Sequence, residues 1–247
     1  MSYVNALSEN LSIPVYFALI PGASEIQSEQ LPTNAPNDSQ KTVVDTAYAL
    51  SYAHTIDLLS PLAFHAKEYI FYRTDHHWTT LGAFYGYNAL RGAWGLSPVE
   101  LSDYERVTVT DQFYGTTYSS SGFSWVRPDS IETFVRDDGG ALITNYNTTP
   151  AETISLYDES FLAVKDKYSF FLGGNSPRIS IQTGNDDKPR LCLIRDSYSD
   201  CLLPFLLSDF SQIDLIDLRY YRDSIKAYII DEEFDMILIL YSVSNFS

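Results

Sequence analysis

The sequence has few cysteines, few histidines and few basic residues. It contains two cysteines, four histidines, and 16 lysines and arginines against 32 acidic residues, for a net charge of −16. Two thiols, Cys192 and Cys201, are too few for a disulfide scaffold or a cysteine-rich metal cluster. Because so acidic a surface would repel phosphate groups, we expect no nucleic-acid partner.

Long apolar runs are also missing. No stretch approaches the roughly 18 apolar residues that cross a membrane, and Met1 is not followed by a signal peptide. We therefore expect either a cytoplasmic protein or a chain whose targeting segment lies outside this sequence. In the second case the protein would meet a membrane only through that segment.

The abundant residues indicate an ordered α/β domain. Hydrophobic residues make up 45% and aromatic residues 15% of the 247 positions. The apolar runs that predict buried strands are residues 13–20, 190–195, 212–218 and 235–241. Helical stretches at about residues 200–210 and 223–230 separate the last three, and strands that alternate with helices indicate a parallel sheet. Residues 98–150 instead contain short β-type runs between polar turns, which predicts a β-rich insertion or long loops within a single domain spanning residues 1–247. Residues 114–118 of this stretch are expected near one rim.

Two of the four histidines lie side by side after a carboxylate, in residues 75–78 (Asp-His-His-Trp). An aromatic run at residues 68–72 predicts a strand before this motif, and threonines after it can cap a helix. On an extended backbone Asp75 and His77 share one face, whereas His76 points to the other. The carboxylate could then orient the His77 imidazole as a general base.

Ser197 is the candidate nucleophile. It follows the predicted strand at residues 190–195, at the sheet edge where parallel sheets form their ligand crevices. The first free N–H groups of the following helix would point toward it and could stabilise an oxyanion. Gly174 and Asn175 are further oxyanion candidates because they follow a predicted strand at residues 168–172, although the same residues also suit a simple turn.

Several motifs resemble those of a known family. Residues 74–79 (Thr-Asp-His-His-Trp-Thr), followed by Gly-Ala at 82–83, resemble the motif that names the DHHW family of bacterial proteins. They are also similar to the Asp-x-His-Trp motif of the alginate O-acetyltransferase-like branch of the SGNH hydrolases. Residues 196–199 (Asp-Ser-Tyr-Ser) resemble the nucleophile block of that branch, and residues 18–22 (Ala-Leu-Ile-Pro-Gly) resemble its first strand. The resemblance covers nearly the whole chain, with Asp and His before Ser as in that branch.

The resemblance implies both a fold and a chemistry. The fold would be a three-layer α/β/α SGNH-hydrolase-like (flavodoxin-like) domain with a mostly parallel sheet. Ser197 would be the nucleophile, His77 the general base and Asp75 the residue that orients His77, with no metal and no other cofactor. The activity would be hydrolysis or transfer of acyl groups on an acetylated cell-envelope or exported polysaccharide, or on an acylated small molecule, outside the cytoplasm.

One residue departs from the family pattern. Arg195 stands where a glycine often precedes Asp-Ser, and a bulky charge there is expected to crowd or reshape the nucleophile turn. Together with Tyr198 from the nucleophile block and Trp78 from the first motif, Arg195 is a candidate for contact with the oxyanion or the substrate. Trp78 is also interpreted as a buried wedge beside the cleft.

The sequence leaves two other functions open. A catalytically inactive carbohydrate-binding module would use Trp78, Trp94 and Trp125 to stack on sugar rings, with Arg195 marking a decayed site. A metal-dependent phosphoesterase of the DHH type would bind manganese at residues 75–77. Such enzymes also need an Asp-x-Asp motif near the start, which this chain lacks, and an acidic cleft is poorly suited to phosphate.

Overall fold

The protein is built around one large mixed sheet. The computed structural model describes residues 1–136, 140–147 and 149–246. The strands in these ranges are β1 (Val15–Ile20), β2 (His54–Ile56), β3 (Glu105–Phe113), β4 (Asp129–Val135), β5 (Ala141–Tyr146), β6 (Pro150–Thr153), β7 (Arg178–Thr183), β8 (Arg190–Arg195), β9 (Gln212–Ile216) and β10 (Met236–Ser242). Eight of them form the main sheet in the order β2-β1-β10-β8-β9-β7-β5-β6, and β3 pairs with β4 alone.

The sheet has a larger parallel part and a smaller antiparallel part. Strands β2, β1, β10, β8 and β9 are all parallel to one another. Strand β7 then runs antiparallel to β9, and β5 and β6 continue in the antiparallel sense. The carboxyl ends of the five parallel strands meet along one edge, where such sheets place their ligands. Strand β8 therefore delivers Ser197 to that edge, next to the end of β10.

Helices cover both faces of the sheet. The helices in the described ranges are α1 (Ser2–Asn10), α2 (Ala23–Ile26), α3 (Gln40–Ala49), α4 (Leu59–Phe64), α5 (Thr80–Ala93), α6 (Thr116–Ser121), α7 (Leu203–Leu206), α8 (Ile225–Asp231) and α9 (Val243–Phe246). Buried side chains of α4, α5 and α7 form a core on one face, and those of α1, α3, α8 and α9 form a core on the other. The sheet thus lies in the middle of three layers. Among the described helices, none combines the length and the apolar character needed to cross a membrane.

The alternation of side chains along β1 explains how one strand serves two cores. Ala18 and Ile20 belong to the core under α5, whereas Phe17 and Leu19 belong to the opposite core, and all four are buried. Successive side chains of a strand point to opposite faces, so a strand covered on both sides reads as a continuous apolar run. That pattern made β1, β8, β9 and β10 predictable.

Residues 98–150 divide between two structures. Strands β3 and β4 form a separate antiparallel hairpin, but β5 joins the main sheet by pairing with β7. Residues 125 and 126, whose composition is typical of a strand, belong to no strand. The stretch is therefore β-rich, as predicted, but part of it extends the main sheet. Residues 137–139 and 148 lie outside the described residues.

Two predicted strands before functional residues were wrong. Residues 68–72 form no strand, and Phe71 makes an isolated bridge with Trp78 instead. Residues 168–172 likewise lie mostly in a 3-10 turn, Lys167–Phe170. Apart from Tyr69, the aromatic side chains of both stretches are buried against the core, and burial of single turns produces the same composition as a strand. The helix expected at residues 200–210 is also shorter, consisting of a 3-10 turn, Ser197–Leu202, followed by α7.

Candidate active site

The Asp-His-His-Trp motif forms a closed loop. The N–H of Tyr72 donates to the His77 carbonyl at 3.2 Å, and the N–H of Thr79 donates to the Ile70 carbonyl at 2.9 Å, so the two ends of the loop are tied together. The backbone between them bends instead of extending. His76 and His77 consequently lie side by side, with ring centroids 4.0 Å apart. The expectation that His76 faces away from His77 was wrong because it assumed an extended backbone.

Asp129, the first residue of β4, holds the start of this loop in place through hydrogen bonds. Its fully buried carboxylate accepts hydrogen bonds from the Thr74 N–H at 2.7 Å, the Thr74 hydroxyl at 2.6 Å and the Arg73 Nε at 3.0 Å. A fourth donor, the Tyr69 hydroxyl, lies 2.5 Å away. A buried carboxylate is stable only when such donors compensate for its lost hydration. Asp129 therefore holds the residue that immediately precedes Asp75.

Trp78 anchors the other end of the loop inside the protein. Its fully buried indole lies against α5, where a Cβ on Gly86 would come within 2.9 Å of the ring and a Cβ on Gly82 within 3.1 Å of the Trp78 Cβ. Two glycines four apart leave one groove on the helix face for the ring. The indole N–H donates to the Tyr198 carbonyl at 2.7 Å. Trp78 thus ties the motif loop to the nucleophile turn and cannot contact a substrate, so its role as a wedge is the one the structure supports.

Asp196 shapes the nucleophile turn. One oxygen of its buried carboxylate accepts the Tyr198 N–H at 3.0 Å, and the other accepts the N–H and hydroxyl of Ser242 at the end of β10. The Asp196 carbonyl accepts the Ser199 N–H at 3.2 Å. The N–H groups of Tyr198 and Ser199 are therefore occupied, unlike the free helical donors expected from the sequence. The Ser197 N–H remains as the donor of this turn that can serve an oxyanion.

The loop and the turn meet at Ser197. The Ser197 Oγ lies 2.9 Å from His77 Nε2, and His77 Nδ1 lies 2.5 Å from the Asp75 Oδ1. The first of these contacts joins residues 120 positions apart in the chain. Asp75 and His77 are buried, whereas Ser197 is half-buried and is the accessible member of the three. A serine, an imidazole and a carboxylate in this sequence of contacts have the geometry of a catalytic triad.

Asp75 is surrounded by donors. Its second oxygen accepts the N–H and the hydroxyl of Thr116 at 2.8 and 2.9 Å. Burial by itself raises the pKa of Asp75, but the hydrogen bond from His77, the His77 charge and the Thr116 N–H together lower it well below its ordinary value. Asp75 is therefore ionised at neutral pH. The approach of the Thr116 backbone requires Gly115, where a Cβ would lie 2.3 Å from both the Cβ and the Oδ2 of Asp75.

Two tyrosines confine the His77 ring. Tyr168 stacks on it with centroids 3.8 Å apart and an interplanar angle of 8°, and its hydroxyl donates to the Ser197 carbonyl at 3.1 Å. Tyr198 packs on the ring at 4.8 Å, and its hydroxyl donates to the His76 carbonyl. Both tyrosines are buried. Tyr198 was a candidate for substrate contact, but the structure places it behind His77, where it can position the ring and cannot reach a ligand.

Arg195 also lies away from the substrate side. It is fully buried, and its Nη1 lies 2.7 Å from the Oδ1 of Asp200, which is buried as well. Burial raises the pKa of Asp200 to about 7, against the opposing effect of the Arg195 charge. The interpretation of Arg195 as an oxyanion or substrate contact was therefore wrong, because its side chain points into the core. The Arg195–Asp200 ion pair is poorly aligned, since the guanidinium nitrogens donate no hydrogen bond within the described residues.

Gly174 and Asn175 form a turn whose oxyanion role finds no support. Gly174 has a φ of +89°, a conformation that glycine adopts readily. The Asn175 side chain is exposed, and its oxygen accepts from the Arg219 Nη2 at 3.4 Å. In the described ranges, neither residue is a hydrogen-bond partner of Ser197. The role of Gly174 and Asn175 remains a prediction that this geometry does not strengthen.

The side chains of Asp75, His76 and His77 also satisfy a loose criterion for a metal site, since one ligand atom of each lies within 4.8 Å of the others. The finer geometry is unfavourable. The Asp75 oxygen and His77 Nδ1 are 2.5 Å apart, which is a hydrogen-bond distance. Two ligand atoms that each lie about 2.0–2.2 Å from one tetrahedral ion would be farther apart than that. His76 Nδ1 is likewise engaged with the Thr116 hydroxyl at 2.7 Å.

Four residues that support the site were not predicted: Gly115, Thr116, Asp129 and Tyr168. Each acts through a contact between segments more than 35 residues apart, which no local pattern reveals. A weak signal existed for Gly115 and Thr116, because they lie between tyrosines in a segment expected near one rim. Asp129 gave no signal, since a single aspartate after a proline is typical of an ordinary turn.

Comparison with known proteins bears on the family and the fold. The family model described as DHHW protein matches residues 2–216. The chain belongs to the DHHW family. Among curated proteins, none matches the sequence. Among solved structures, a DHHW family protein from Eubacterium siraeum is 26% identical over 98% of this chain and 82% of its own, with a TM-score of 0.86.

More distant structures show the same fold. Bacillus cereus PatB1 is 22% identical over 100% of this chain and 89% of its own, with a TM-score of 0.84, and it has also been solved with a sulfonyl adduct. The O-acetyltransferase domain of Pseudomonas putida AlgJ is 15% identical over 97% of this chain and 78% of its own, with a TM-score of 0.55. The predicted three-layer SGNH-hydrolase-like α/β fold with a mostly parallel sheet is thereby confirmed for this DHHW protein.

Proposed function

We propose that this DHHW protein is a serine-dependent acyl-ester enzyme that hydrolyses or transfers O-acetyl groups of a cell-envelope or exported polysaccharide. The observation that carries the proposal is the continuous contact from Asp75 through His77 to Ser197 at the carboxyl edge of the sheet. The likeness in fold to a structure described as an O-acetyltransferase domain supports the choice of acyl group. Because such substrates lie outside the cytoplasm, we expect the protein there.

The first half of the reaction transfers the acyl group to the enzyme. As the Ser197 Oγ attacks the ester carbonyl, its proton passes to His77 Nε2, 2.9 Å away. Asp75 accepts the hydrogen bond from His77 Nδ1 and stabilises the imidazolium that forms. The Ser197 N–H faces the developing oxyanion. The tetrahedral intermediate then collapses, His77 returns the proton to the leaving sugar oxygen, and the acetyl group stays on Ser197.

The second half repeats the steps with a different nucleophile. Water, or the hydroxyl of an acceptor sugar, gives its proton to His77 and attacks the acetyl-serine, and His77 then protonates Ser197 as it leaves. Water as the nucleophile gives hydrolysis, and a sugar hydroxyl gives transfer. Tyr168 and Tyr198 confine the His77 ring in the plane that both halves need.

Activity toward a generic aryl acetate tests the proposal. Ser197→Ala and His77→Ala should each lower kcat by about 1,000-fold or more, and the double variant should be little worse, because residues of a triad act as a unit. His65→Ala is the matched control, since His65 contacts Glu68 outside the site and its loss should leave turnover unchanged. Full activity in Ser197→Ala would refute the proposal.

A sulfonyl fluoride distinguishes an enzyme from an inactive carbohydrate-binding module. The reagent should inactivate the protein, and mass spectrometry should find one adduct on the peptide that contains Ser197. The PatB1 structure that carries a sulfonyl adduct makes this reagent a suitable choice. The His77→Ala variant should label far more slowly, because the serine would lack its general base. An inactive module would show neither labelling nor turnover.

Chelation tests the metal alternative. We expect ester turnover to survive exhaustive treatment with EDTA, because an oriented imidazole deprotonates a serine without an ion. Loss of turnover that manganese or zinc restores would instead identify residues 75–77 as a metal site.

A further inference from the structure

A neutral segment runs beside the candidate active site of this acidic protein. Residues 112–126 contain no charged side chain, although 19% of the chain is charged and the net charge is −16. The same fifteen residues include five aromatic residues and six serines or threonines. The segment thus offers flat apolar rings among hydroxyl groups, and it neither attracts nor repels a charged partner.

Two aromatic side chains at the end of this segment are open to solvent. Phe123 is 52% exposed and Trp125 is 76% exposed. Their ring centroids lie 4.9 Å apart with an angle of 48° between the planes, so they form one joint surface. Trp78 is fully buried, and Trp94 packs on Phe210 and Tyr16. Trp125 is therefore the tryptophan with a ring face available to a ligand.

The segment is tied on both sides to the loop of the Asp-His-His-Trp motif. At its start, Thr116 donates to Asp75 and begins α6, which is about 9 Å long for its six residues. Gly122 ends that helix with a φ of +73°. After Trp125 the chain returns within four residues to Asp129, which holds the Thr74 N–H at 2.7 Å. Four residues span at most about 14 Å, so Trp125 lies within reach of a short oligosaccharide from the catalytic loop.

We propose that Phe123 and Trp125 form a stacking platform for an uncharged glycan chain whose acylated unit enters the triad. This proposal rests on the function proposed above and adds the chemical class and position of a glycan-binding subsite. Adjoining exposed aromatic rings, unlike a single one, form a contiguous apolar patch, and an apolar patch rimmed by polar groups is the kind of surface that marks an interaction site. The apolar face of a sugar ring covers an aromatic ring, while its hydroxyl groups bind neighbouring serines and threonines. An uncharged glycan is favoured because the segment carries no charge that would recognise an ionic partner.

Direct binding is the first arm of the test. In a Ser197→Ala background, the protein would be titrated with chitohexaose, cellohexaose and soluble acetylated xylan while tryptophan fluorescence is recorded. At least one of these glycans should quench and shift the emission of the exposed Trp125. Titration calorimetry, which does not depend on the Trp125 fluorophore, should find no binding by Trp125→Ala and most of the affinity in Trp125→Tyr, and Tyr52→Ala should change nothing. Tyr52 is a matched control because it is 67% exposed and precedes β2, an edge strand of the main sheet.

Kinetics is the second arm and separates this proposal from the function on which it rests. Trp125→Ala and Phe123→Ala should raise KM for acetylated xylan about 5-fold or more, the scale of one aromatic contact, and leave kcat/KM for an aryl acetate unchanged. An equal loss on both substrates would mean that the rings support the fold, and would overturn the proposal. Failure to bind any of the glycans, or self-association that Trp125→Ala abolishes, would also overturn it. If the aryl acetate is not turned over at all, the proposed function fails, and the binding arm still decides the platform.

Discussion

At the scale of single residues, the carboxylate of Asp75 has almost no freedom. His77 occupies one of its oxygens, and the N–H and hydroxyl of Thr116 occupy the other. The Thr116 backbone can come this close only because residue 115 has no side chain, since a Cβ there would meet Asp75 at 2.3 Å. Gly115 is therefore a positioning residue for the proposed triad, although its own hydrogen bonds are to Thr74 and Ser119 and not to Ser197 or His77.

Gly115→Ala should lower kcat for an aryl ester by about 100-fold, because a displacement of about 1 Å at a reacting group has that effect. Gly92→Ala is the matched control: it adds the same methyl group to a glycine of α5 with nothing within 4 Å. That variant should keep full activity and unfold at the same or a higher temperature, since alanine favours helices. Equal kinetics in the two variants would show that Asp75 can move without cost.

The lowered pKa of Asp75 predicts how stability depends on pH. A carboxyl group whose pKa is lower in the folded than in the unfolded state stabilises the fold above its unfolded pKa, about 3.9. That contribution disappears as the pH falls through the folded pKa. The difference in unfolding free energy between the wild type and Asp75→Asn should therefore be largest near pH 7 and shrink below about pH 4.

Urea unfolding across that pH range measures the difference. Asp45→Asn provides the control, because its side chain is 61% exposed and pairs only with Lys41 on the surface of α3. Such surface pairs contribute little to stability, so the curves of this variant and the wild type should run together. A difference between the wild type and Asp75→Asn that stays constant down to pH 2 would contradict the assignment.

How far the sequence predicts the site depends on where each contact lies in the chain. Asp75 and His77 are two residues apart, and Ser197 follows an obvious strand, so pattern and family resemblance predict all three positions. His76 was placed on the wrong face because no local rule reports that Asp129, 54 positions after Asp75, bends the loop. Arg195 was misassigned as a ligand contact for a related reason, and for Trp78 the structure supports the interpretation as a buried wedge and not that as a ligand contact. Charge and aromaticity suggest ligand contact, but burial is a property of the whole fold.

At the scale of elements, the junction between β8 and the nucleophile turn contains a buried ion pair. Arg195 ends the strand, and Asp200 lies in the turn that begins at Ser197. The two groups differ in how they respond to loss of the partner. A carboxyl group can take up a proton, and burial already raises the pKa of Asp200 to about 7. A guanidinium cannot lose its charge.

At pH 8, where Asp200 is largely ionised, Asp200→Asn should therefore destabilise the protein by about 3–5 kcal/mol, the usual cost of leaving one buried charge without its partner. The cost should be smaller at pH 5, where Asp200 is already neutral. Arg195→Met should cost less at pH 5, where Asp200 is protonated. Its cost should grow as the pH rises to 8, because a raised pKa in the folded state lowers stability through that range. The double variant should lose less than the two single variants combined. Denaturant unfolding at pH 5 and pH 8 measures all three. Equal costs for the two single variants at pH 8 would refute this asymmetry.

Elements were predicted best where they cross the core. Strands β1, β8, β9 and β10 lie between two helical layers and are apolar on both faces, which the sequence reveals directly. The antiparallel strands were harder, because β5 pairs with β7 across more than 30 residues. Nothing in the composition of residues 141–146 distinguishes a strand of the main sheet from a strand of a separate hairpin.

At the scale of the whole molecule, the net negative charge opposes the compact fold. The chain carries a net charge of −16 on a three-layer domain, and repulsion among like charges destabilises a compact state. Some acidic groups are compensated locally, as Asp129 is by Arg73 and Asp209 by Arg91. Others, such as Asp186 and Asp187, are exposed on the turn between β7 and β8. Repulsion of this kind is long-range and therefore sensitive to salt.

Thermal unfolding should consequently shift upward with ionic strength. Between about 10 mM and 150 mM NaCl the screening length falls from about 30 Å to about 8 Å. We expect the Tm to rise by about 2–4 °C, which corresponds to roughly 1 kcal/mol for a protein of this size. The variant Asp186→Asn/Asp187→Asn lowers the net charge from −16 to −14 and should have a higher Tm at low salt and a smaller rise. A Tm that falls with salt would mean that attractive pairs outweigh repulsion across the surface.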